Sequence, residues 1–225
     1  MKTKPINDHL IQLTRLGFVN AYLVREDDGF TLVDTMVGRS ADGILAAARQ
    51  AGGAVRRIAL THGHGDHVGS VDELRSKLGA EVEISIGEID ARIHAGEKVV
   101  EGKLTGSWPK LKTTPDRRLR PGDRVGCLEV FPSPGHTPGH IAFLDTRDQS
   151  LIAGDVFTSF GNVEVSNHFY LRFPLAAMAT YDKARDLQSA RDLRALDPAL
   201  LVVGHGPAVP SPGAAMDAAI ARAGG

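Results

Sequence analysis

This sequence of 225 residues has little of several features that would decide its class. Its one cysteine, Cys127, cannot form an intramolecular disulfide, and a thiolate-rich metal site is excluded. Aromatic residues make up only 5% of the chain, and no uncharged apolar run approaches the roughly 20 residues that a membrane span needs. The amino terminus shows no apolar signal-peptide core. We therefore expect a cytoplasmic protein with no membrane partner, in which Cys127 is a small buried side chain within a strand.

An excess of charge of one sign is also missing. The chain carries 26 Lys and Arg against 27 Asp and Glu, for a formal net charge of −1. This balance gives no electrostatic basis for binding nucleic acid or an anionic membrane surface. The length is sufficient to bury a sizeable core without disulfides. We expect a single domain over residues 1–225 that acts on a small-molecule substrate, as a monomer or a homodimer.

The most informative feature present is the run at residues 61–67, Thr-His-Gly-His-Gly-Asp-His. Imidazole nitrogens and carboxylate oxygens are ligands that zinc, iron and manganese accept. The preceding residues 55–60 are mostly apolar and follow a Gly-Gly pair, which is typical of a buried strand. The ligand-type residues should therefore lie on a loop at the carboxyl end of that strand. A surface loop that is rich in histidine by chance is the alternative, and the density of the motif disfavours it.

The hydrophobic pattern predicts short strands interspersed with helices. Strands are predicted at residues 9–16, 18–25, 30–34, 55–60, 81–86, 124–131, 141–144, 151–153 and 200–203. Helices are predicted at residues 40–50, 71–78, 88–94, 175–196 and 211–223. Residues 96–121 are charged, contain Pro and Gly and have weak periodicity, so we expect an insertion or lid there. The mixed order of elements predicts an α/β layered sandwich with helices on the outer faces.

Three further predicted strand ends carry ligand-type residues. The chain reads Pro-Gly-His-Thr-Pro-Gly-His at residues 134–140, Gly-Asp at 154–155 and Gly-His-Gly at 204–206. A glycine beside a ligand lets the backbone turn sharply and approach an ion closely. Any one of these sites alone would be explained as a surface histidine or a capping aspartate. Together with residues 61–67, they favour one shared metal site.

These four motifs, in this order, resemble the metal motifs of the metallo-β-lactamase superfamily, and the resemblance spans almost the whole chain. It implies a four-layer αβ/βα sandwich with two mixed β-sheets and a metal cleft between them. It also implies a first metal held by His62, His64 and His136, a second held by Asp66, His67 and His205, and Asp155 as the bridge. His140 and Asp34 match no ligand position and should support the ligands. His9, His94 and His168 lie outside the motifs and should not be ligands.

The resemblance implies two divalent ions, with zinc favoured and iron or manganese possible. Two such ions about 3.5–4 Å apart can share a water and lower its pKa, which predicts metal-assisted hydrolysis. Asp66 is the expected proton shuttle and catalytic residue. Asp155 stands where some β-lactamases have cysteine and where others generally lack a bridging aspartate. Asp155 therefore favours glyoxalase II-like thioesterases, lactonases or phosphodiesterases over β-lactamases. Because the nucleases of the superfamily usually have a basic surface, which the balanced charge does not predict here, we expect an ester, lactone or thioester substrate rather than a phosphodiester.

Several alternatives stay open at this stage. A sulfur dioxygenase with a single iron would have a similar size and histidine pattern, whereas a non-catalytic binding protein is disfavoured because every expected ligand is present. Because the given sequence ends soon after His205, we do not expect the helical carboxyl-terminal domain typical of glyoxalase II, and this weakens the resemblance to that enzyme. Thr158 stands where many acyl-homoserine lactonases have tyrosine. Residues 159–173, with Phe160, Phe169 and Phe173, form either a wall of the cleft or simple loop packing.

Overall fold

The computed structural model describes residues 1–224, and most of its strands form two facing sheets. The strands are β1 (Lys2–Pro5), β2 (Leu10–Arg15), β3 (Val19–Glu26), β4 (Gly29–Val33), β5 (Val55–Leu60), β6 (Glu83–Gly87), β7 (Arg117–Leu119), β8 (Arg124–Val125), β9 (Leu128–Pro132), β10 (Ile141–Asp145), β11 (Ser150–Ile152), β12 (Phe157–Thr158), β13 (Glu164–Val165), β14 (Leu200–Val202) and β15 (Val209–Pro210). The helices are α1 (Ala41–Gln50), α2 (Gly65–Val68), α3 (Val71–Leu78), α4 (Glu88–His94), α5 (Leu175–Ala179), α6 (Lys183–Arg194) and α7 (Gly213–Gly224).

Both large sheets are mixed. The first has seven strands in chain order, β1 to β7, with antiparallel pairing up to β4 and parallel pairing from β4 to β7. The second has six strands in the order β15-β14-β11-β10-β9-β8, in which only β11 and β14 pair in parallel. Strands β12 and β13 form a separate antiparallel pair. The order of strands and crossover helices confirms the predicted α/β class.

Alternation of side chains along the strands builds four layers. On β10, Ala142 and Leu144 pack with residues of α6 and α7, whereas Ile141 and Phe143 pack against the first sheet, for example against Tyr22. Successive side chains of a strand point to opposite faces, so one strand contributes to two cores. Helices α1 and α3 cover the outer face of the first sheet. The predicted αβ/βα sandwich is confirmed.

Hydrogen bonds between the sheets fix the edge at which the ligand-bearing loops emerge. The N–H of Ile141 donates to the carbonyl of Thr61 (2.9 Å), and the N–H of Asn20 donates to the carbonyl of Gly204 (2.9 Å). The hydroxyl of Tyr22, fully buried, donates to the carbonyl of Val203 (2.6 Å). The carboxyl ends of β5, β9, β11 and β14 therefore meet at one edge of the cleft between the sheets.

The helix predicted at residues 175–196 is wrong as one element, because the structure divides it into α5 and α6. Thr180 has an extended backbone and its hydroxyl donates to the carbonyls of Ala176 (2.9 Å) and Ser166 (2.8 Å). Asp182 then caps α6 by accepting from the N–H of Arg185 (2.9 Å). A side chain that binds backbone groups locally competes with helix continuation. The break brings Thr180 into the cleft.

The strand predicted at residues 124–131 is also wrong as one element, since it is the hairpin of β8 and β9. Gly126 adopts a positive φ of 58°, which lets the chain reverse, and Cys127 follows it at the turn. Cys127 is half-buried rather than a core residue, and burial raises the pKa of its thiol. Within the predicted insertion, β7 adds an edge strand to the first sheet. In residues 1–224, no helix is long and apolar enough to cross a membrane.

Candidate metal centre

The loops at the cleft bring together all seven residues predicted as metal ligands. Their donor atoms form overlapping groups in which every atom lies within 4.8 Å of the others. The groups are His62, His64 and His136; His62, His67 and Asp155; and Asp66, His67 and His205. Four loops contribute to these groups, so the juxtaposition follows from the two-sheet fold and not from one local motif. We call the first group the histidine trio and the third group the aspartate trio.

The histidine trio is buried and neutral. Nδ1 of His64 lies 3.1 Å from Nε2 of His136, and the ring of His62 stands nearly perpendicular to both rings at centroid distances of 4.9 and 5.0 Å. Burial lowers the pKa of all three imidazoles, to about 4 for His64, and outweighs the opposing effect of Asp155. Neutral imidazoles have the free lone pair that a metal ion requires.

Hydrogen bonds fix which nitrogen of each ring faces the centre. Nδ1 of His62 donates to the hydroxyl oxygen of Thr61 (3.0 Å), and Nε2 of His64 donates to the carbonyl of Thr105 (3.1 Å). Nδ1 of His136 donates to the hydroxyl oxygen of Thr180 (3.0 Å). Each bond places the proton on the outward nitrogen and leaves the lone pair of the other nitrogen pointing inward. Neither Thr105 nor Thr180 was identified from the sequence, because each lies far along the chain from the histidine that it holds.

The aspartate trio is built in the same way but carries charge. Nε2 of His205 lies 3.3 Å from Oδ2 of Asp66, and Nε2 of His67 lies 4.0 Å from it. On their outward sides, His67 Nδ1 donates to Oδ2 of Asp34 (2.8 Å) and His205 Nδ1 donates to the carbonyl of Phe18 (2.9 Å). The side chain of Asp66 is 34% exposed, whereas the imidazoles of both trios are buried.

Carboxylates control the protonation of this trio. Burial by itself would lower the pKa of His205, but Asp155 and Asp66 raise it to about 9. Burial likewise opposes protonation of His67, and Asp155, Asp34 and Asp66 together hold its pKa well above the usual range. Burial would raise the pKa of Asp66, yet His67 and His205 hold it below the usual range. The aspartate trio therefore attracts cations, and in their absence its histidines hold protons.

Asp155 contacts both trios. Its Oδ2 lies 3.4 Å from Nε2 of His136 and 3.1 Å from Nε2 of His205, and its Oδ1 lies 3.4 Å from Nε2 of His67. The approach of these groups depends on Gly204, because a Cβ atom there would lie 2.0 Å from Oδ1 of Asp155. Asp155 therefore lies between the two trios, with one or both of its carboxylate oxygens near members of each.

Unpartnered buried atoms test whether a cation fits here. Nε2 of His62, Nε2 of His67 and Oδ1 of Asp155 are buried and have no hydrogen-bond partner in the structure. A buried polar atom without a partner costs free energy, so such atoms are rare unless an ion or ligand satisfies them. Three of them facing one point fit a divalent cation, and the nitrogen and oxygen donors suit zinc, iron or manganese.

Asp34 and His140 support the loops, as expected from the sequence. The carboxylate of Asp34 accepts from the N–H (2.8 Å) and the hydroxyl of Thr61 as well as from His67. Nδ1 of His140 donates to the hydroxyl of Ser133 (2.8 Å), which leaves Nε2 to accept from the N–H of Asp155 (3.1 Å). His140 thus positions the backbone of Asp155.

Residues from the predicted insertion cover the histidine trio. The indole N–H of Trp108 donates to the carbonyl of Thr105 (2.8 Å), the same oxygen that holds His64. The Trp108 ring lies between His64 and His94, with centroid distances of 5.3 Å to each. Nε2 of His94 donates to the carbonyl of Gly63 (3.0 Å), in agreement with its predicted role as a non-ligand.

A cavity of about 70 Å³ opens beside both trios, and its lining includes His64 and His136 as well as Asp66 and His205. Its remaining walls are mostly apolar, and among its described lining residues there is no Lys or Arg. The apolar lining residues are Phe18, Phe173, Leu175, Ala176 and Ala179.

Residues 159–173 were expected to form either a wall of the cleft or simple loop packing, and each alternative holds for part of the segment. Phe173 lines the cavity, and the centroid of its ring lies 4.7 Å from that of His205. The other residues of the segment pack within the loop or face solvent: the hydroxyl of Tyr170 donates to the carbonyl of Phe160, Nε2 of His168 lies 3.4 Å from Oε2 of Glu164, and Phe169 is exposed.

Solved structures share this architecture. A metallo-β-lactamase from Pontibacter korlensis superposes with a TM-score of 0.75 at 17% identity, covering 99% of this chain and 98% of its own. The protein TTHA1623 in a di-iron-bound form superposes with a TM-score of 0.67 at 28% identity, covering 90% of this chain and 94% of its own. The first likeness concerns the fold alone, and the second adds sequence similarity to a protein with two iron ions.

Sequence relatives agree with the structural ones. The chain is 39% identical over 211 residues to the uncharacterised protein YobT of Bacillus subtilis, covering 91% of this chain and 90% of YobT. It is 25% identical to the probable metallo-hydrolase YflN of the same organism, covering 90% and 84%. A hydroxyacylglutathione hydrolase of Rhodopseudomonas palustris is 34% identical over 52% of this chain and 40% of the relative. The model of the metallo-beta-lactamase superfamily matches residues 14–205, and the chain is a metallo-hydrolase of this superfamily.

Proposed function

We propose that the protein is a two-metal hydrolase that cleaves a small, partly apolar ester, lactone or thioester. The observation that carries the proposal is the position of Asp155 between the histidine trio and the aspartate trio, beside an apolar cavity. In this proposal the histidine trio holds the first ion, the aspartate trio holds the second, and Asp155 bridges them. Zinc is the ion proposed, and the same donor set accepts iron or manganese.

Asp66 and His205 have separate roles in the proposed reaction. Two divalent ions at such a site supply an activated water and polarise the bond to be cleaved. Asp66 is the proposed proton shuttle, because its carboxylate is partly exposed at the cavity and its lowered pKa keeps it ionised at neutral pH. It is thus able to accept a proton from the attacking water and to pass it to the leaving group. His205 lies 3.3 Å away and orients the Asp66 carboxylate.

The walls of the cavity support the choice of substrate. Phe18, Phe173 and Leu175 offer apolar contact, and the lining residues that the structure describes include no Lys or Arg to pair with a substrate carboxylate. β-Lactams and glutathione thioesters both carry carboxylates. An ester, lactone or thioester with an uncharged, partly apolar acyl group therefore suits this cavity better. The relative named as a hydroxyacylglutathione hydrolase supports thioester cleavage as a reaction type.

One experiment tests the proposal. Metal content would be measured in protein purified without added metal, and the same sample would be assayed against lactone, thioester, phosphodiester and β-lactam substrates. The expected result is close to two divalent ions per chain and turnover of a neutral lactone, ester or thioester. One iron per chain without hydrolysis would support the sulfur dioxygenase alternative and overturn the proposal. Preferential cleavage of the phosphodiester or β-lactam would overturn the substrate class.

A further inference from the structure

Asp90 is a fully buried carboxylate outside all of the motifs identified from the sequence. It is the third residue of α4, which begins directly after β6, and its relative exposure is 0%. A buried carboxylate is costly unless hydrogen bonds satisfy it, so its partners indicate what the residue does. Burial raises the pKa of Asp90 to about 6, although its hydrogen bonds oppose this effect.

All three partners of Asp90 belong to loops that carry the histidine trio. Its Oδ2 accepts from the N–H of Gly63 (2.9 Å) and from the hydroxyl of Thr137 (2.7 Å). Its Oδ1 accepts from the N–H of Gly139 (2.7 Å). Within residues 1–224, no ion pair of Asp90 with a cationic side chain is present. The carboxylate is therefore satisfied by loop donors alone.

These donors lie beside the ligands themselves. Gly63 separates His62 from His64, and Thr137 follows His136. The two loops are also joined at the base by the bond between Ile141 and Thr61, but that contact lies further along the chain from His136. The carboxylate thus bridges the loops next to all three members of the trio.

Close packing leaves the carboxylate little freedom. A Cβ atom at Gly139 would lie 2.6 Å from Oδ1 of Asp90 and 2.4 Å from its backbone nitrogen. A Cβ atom at Gly87, the last residue of β6, would lie 2.4 Å from the carbonyl oxygen of Gly139. The loop at residues 134–140 therefore rests directly on the junction of β6 and α4, and a change at Asp90 is transmitted to that loop.

We infer that Asp90 is a positioning residue for the first metal, which sets the spacing between His136 and the pair His62 and His64. This inference rests on the proposed metal centre. Hydrogen-bonded groups behind metal ligands typically change metal affinity by about 10- to 100-fold when they are removed. Asp90 differs from such groups because it binds no ligand ring. It acts through the backbone that presents the rings.

The test measures Co²⁺ binding to the Asp90→Asn variant. The absorption bands of the bound Co²⁺ report its surroundings, and competition with a chelator gives its affinity. An amide has one acceptor oxygen and an NH₂ group that would face the N–H of either Gly63 or Gly139, so the bond to one of these backbone groups is lost. We expect Co²⁺ to bind the first site about 10- to 100-fold more weakly, with altered absorption bands. Asp145→Asn is the matched control, since Asp145 is also a buried carboxylate but pairs with Arg147 away from the site.

Two further variants keep the test decisive if Asp90→Asn does not fold. Thr137→Val removes one donor to the carboxylate and should weaken Co²⁺ binding at the first site, whereas Thr137→Ser keeps the hydroxyl and should restore it. Wild-type affinity in Asp90→Asn, or in Thr137→Val when Asp90→Asn is unfolded, would overturn the inference. An equal loss of affinity in Asp145→Asn would also overturn it, because the effect would then be general destabilisation. If the wild-type protein binds no Co²⁺, the metal centre itself fails.

Discussion

The two trios share one loop but differ in charge, since one is neutral and the other is charged. Residues 61–67 give His62 and His64 to one trio and Asp66 and His67 to the other. The histidine trio is neutral and packs against Thr105 and Trp108, whereas the aspartate trio is charged and contains the partly exposed Asp66. The difference arises from the surroundings, because Asp34 and Asp155 raise the pKa of His67 while burial dominates around His62.

This contrast indicates a division of labour. A neutral, covered trio is suited to retaining an ion, since no proton competes for its nitrogens at neutral pH. A charged, accessible trio is suited to exchanging protons and meeting substrate, since Asp66 is its exposed member. Four experiments test whether the two trios differ in this way.

Replacing Asp66 with alanine should have the largest effect. The change removes the proposed proton shuttle and one donor of the aspartate trio, so we expect turnover to fall by at least about 10²- to 10⁴-fold. The histidine trio should keep its ion, as metal analysis of the same sample would show. Asp42→Ala, at an exposed position on α1, is the control and should retain activity. Full activity of Asp66→Ala with both ions bound would refute the assignment.

Lowering the pH should release the ion at the aspartate trio before the ion at the histidine trio. The pKa of His205 is raised to about 9, so below that pH an ion must displace its proton, and affinity should fall by about tenfold per pH unit for each displaced proton. The pKa of His64 is lowered to about 4, so the histidine trio should lose affinity only near that pH. Equilibrium dialysis between pH 8 and pH 5.5 should show the loss of one ion. Simultaneous loss of both ions would remove the contrast.

Replacing Thr180 with valine should weaken the histidine trio alone. Its hydroxyl accepts from Nδ1 of His136, and without it the ring is free to rotate or change tautomer. We expect the first ion to bind about 10- to 100-fold more weakly, measured by chelator competition. Thr180→Ser keeps the hydroxyl and should behave like the wild type. An equal effect on the second ion would show that the trios are not independent.

Replacing Trp108 with phenylalanine should have the smallest effect. The ring packing against His64 would be largely kept, and only the hydrogen bond to Thr105 would be lost. A net loss of about 0.5–1.5 kcal/mol in the free energy of unfolding is expected from one such bond. Urea titration would measure it. A large loss of metal would instead show that the indole N–H determines the position of the Thr105 carbonyl.

Much of this arrangement could be predicted from the sequence because its signals are local. The strand before residues 61–67 and the glycine-bounded strand ends are short patterns, and each predicted ligand reaches the cleft. The broken helix was missed because the apolar pattern continues through residues 175–196, although Asp182 is a capping residue. The hairpin at Gly126 was missed because apolar residues flank both sides of the turn.

The supporting contacts could not be predicted because they are long-range. Thr180 and Thr105 lie 44 and 41 residues from the histidines that they hold, and Asp90 lies 47 residues from Thr137. Nothing in a short stretch of sequence marks such residues. Their pairing depends on how the two sheets face each other.

The carbonyl of Thr105 also has a consequence for kinetics. It binds the outward nitrogen of His64, and its segment is anchored by the Thr105 hydroxyl on the carbonyl of Ala179 and by the N–H of Gly65 on the carbonyl of Ser107. The His64 ring cannot swing outward while this segment stays in place. Release of an ion past the His64 ring would then require this segment to open, so the rate of release by that route would depend on the motion of the segment as well as on the affinity of the site.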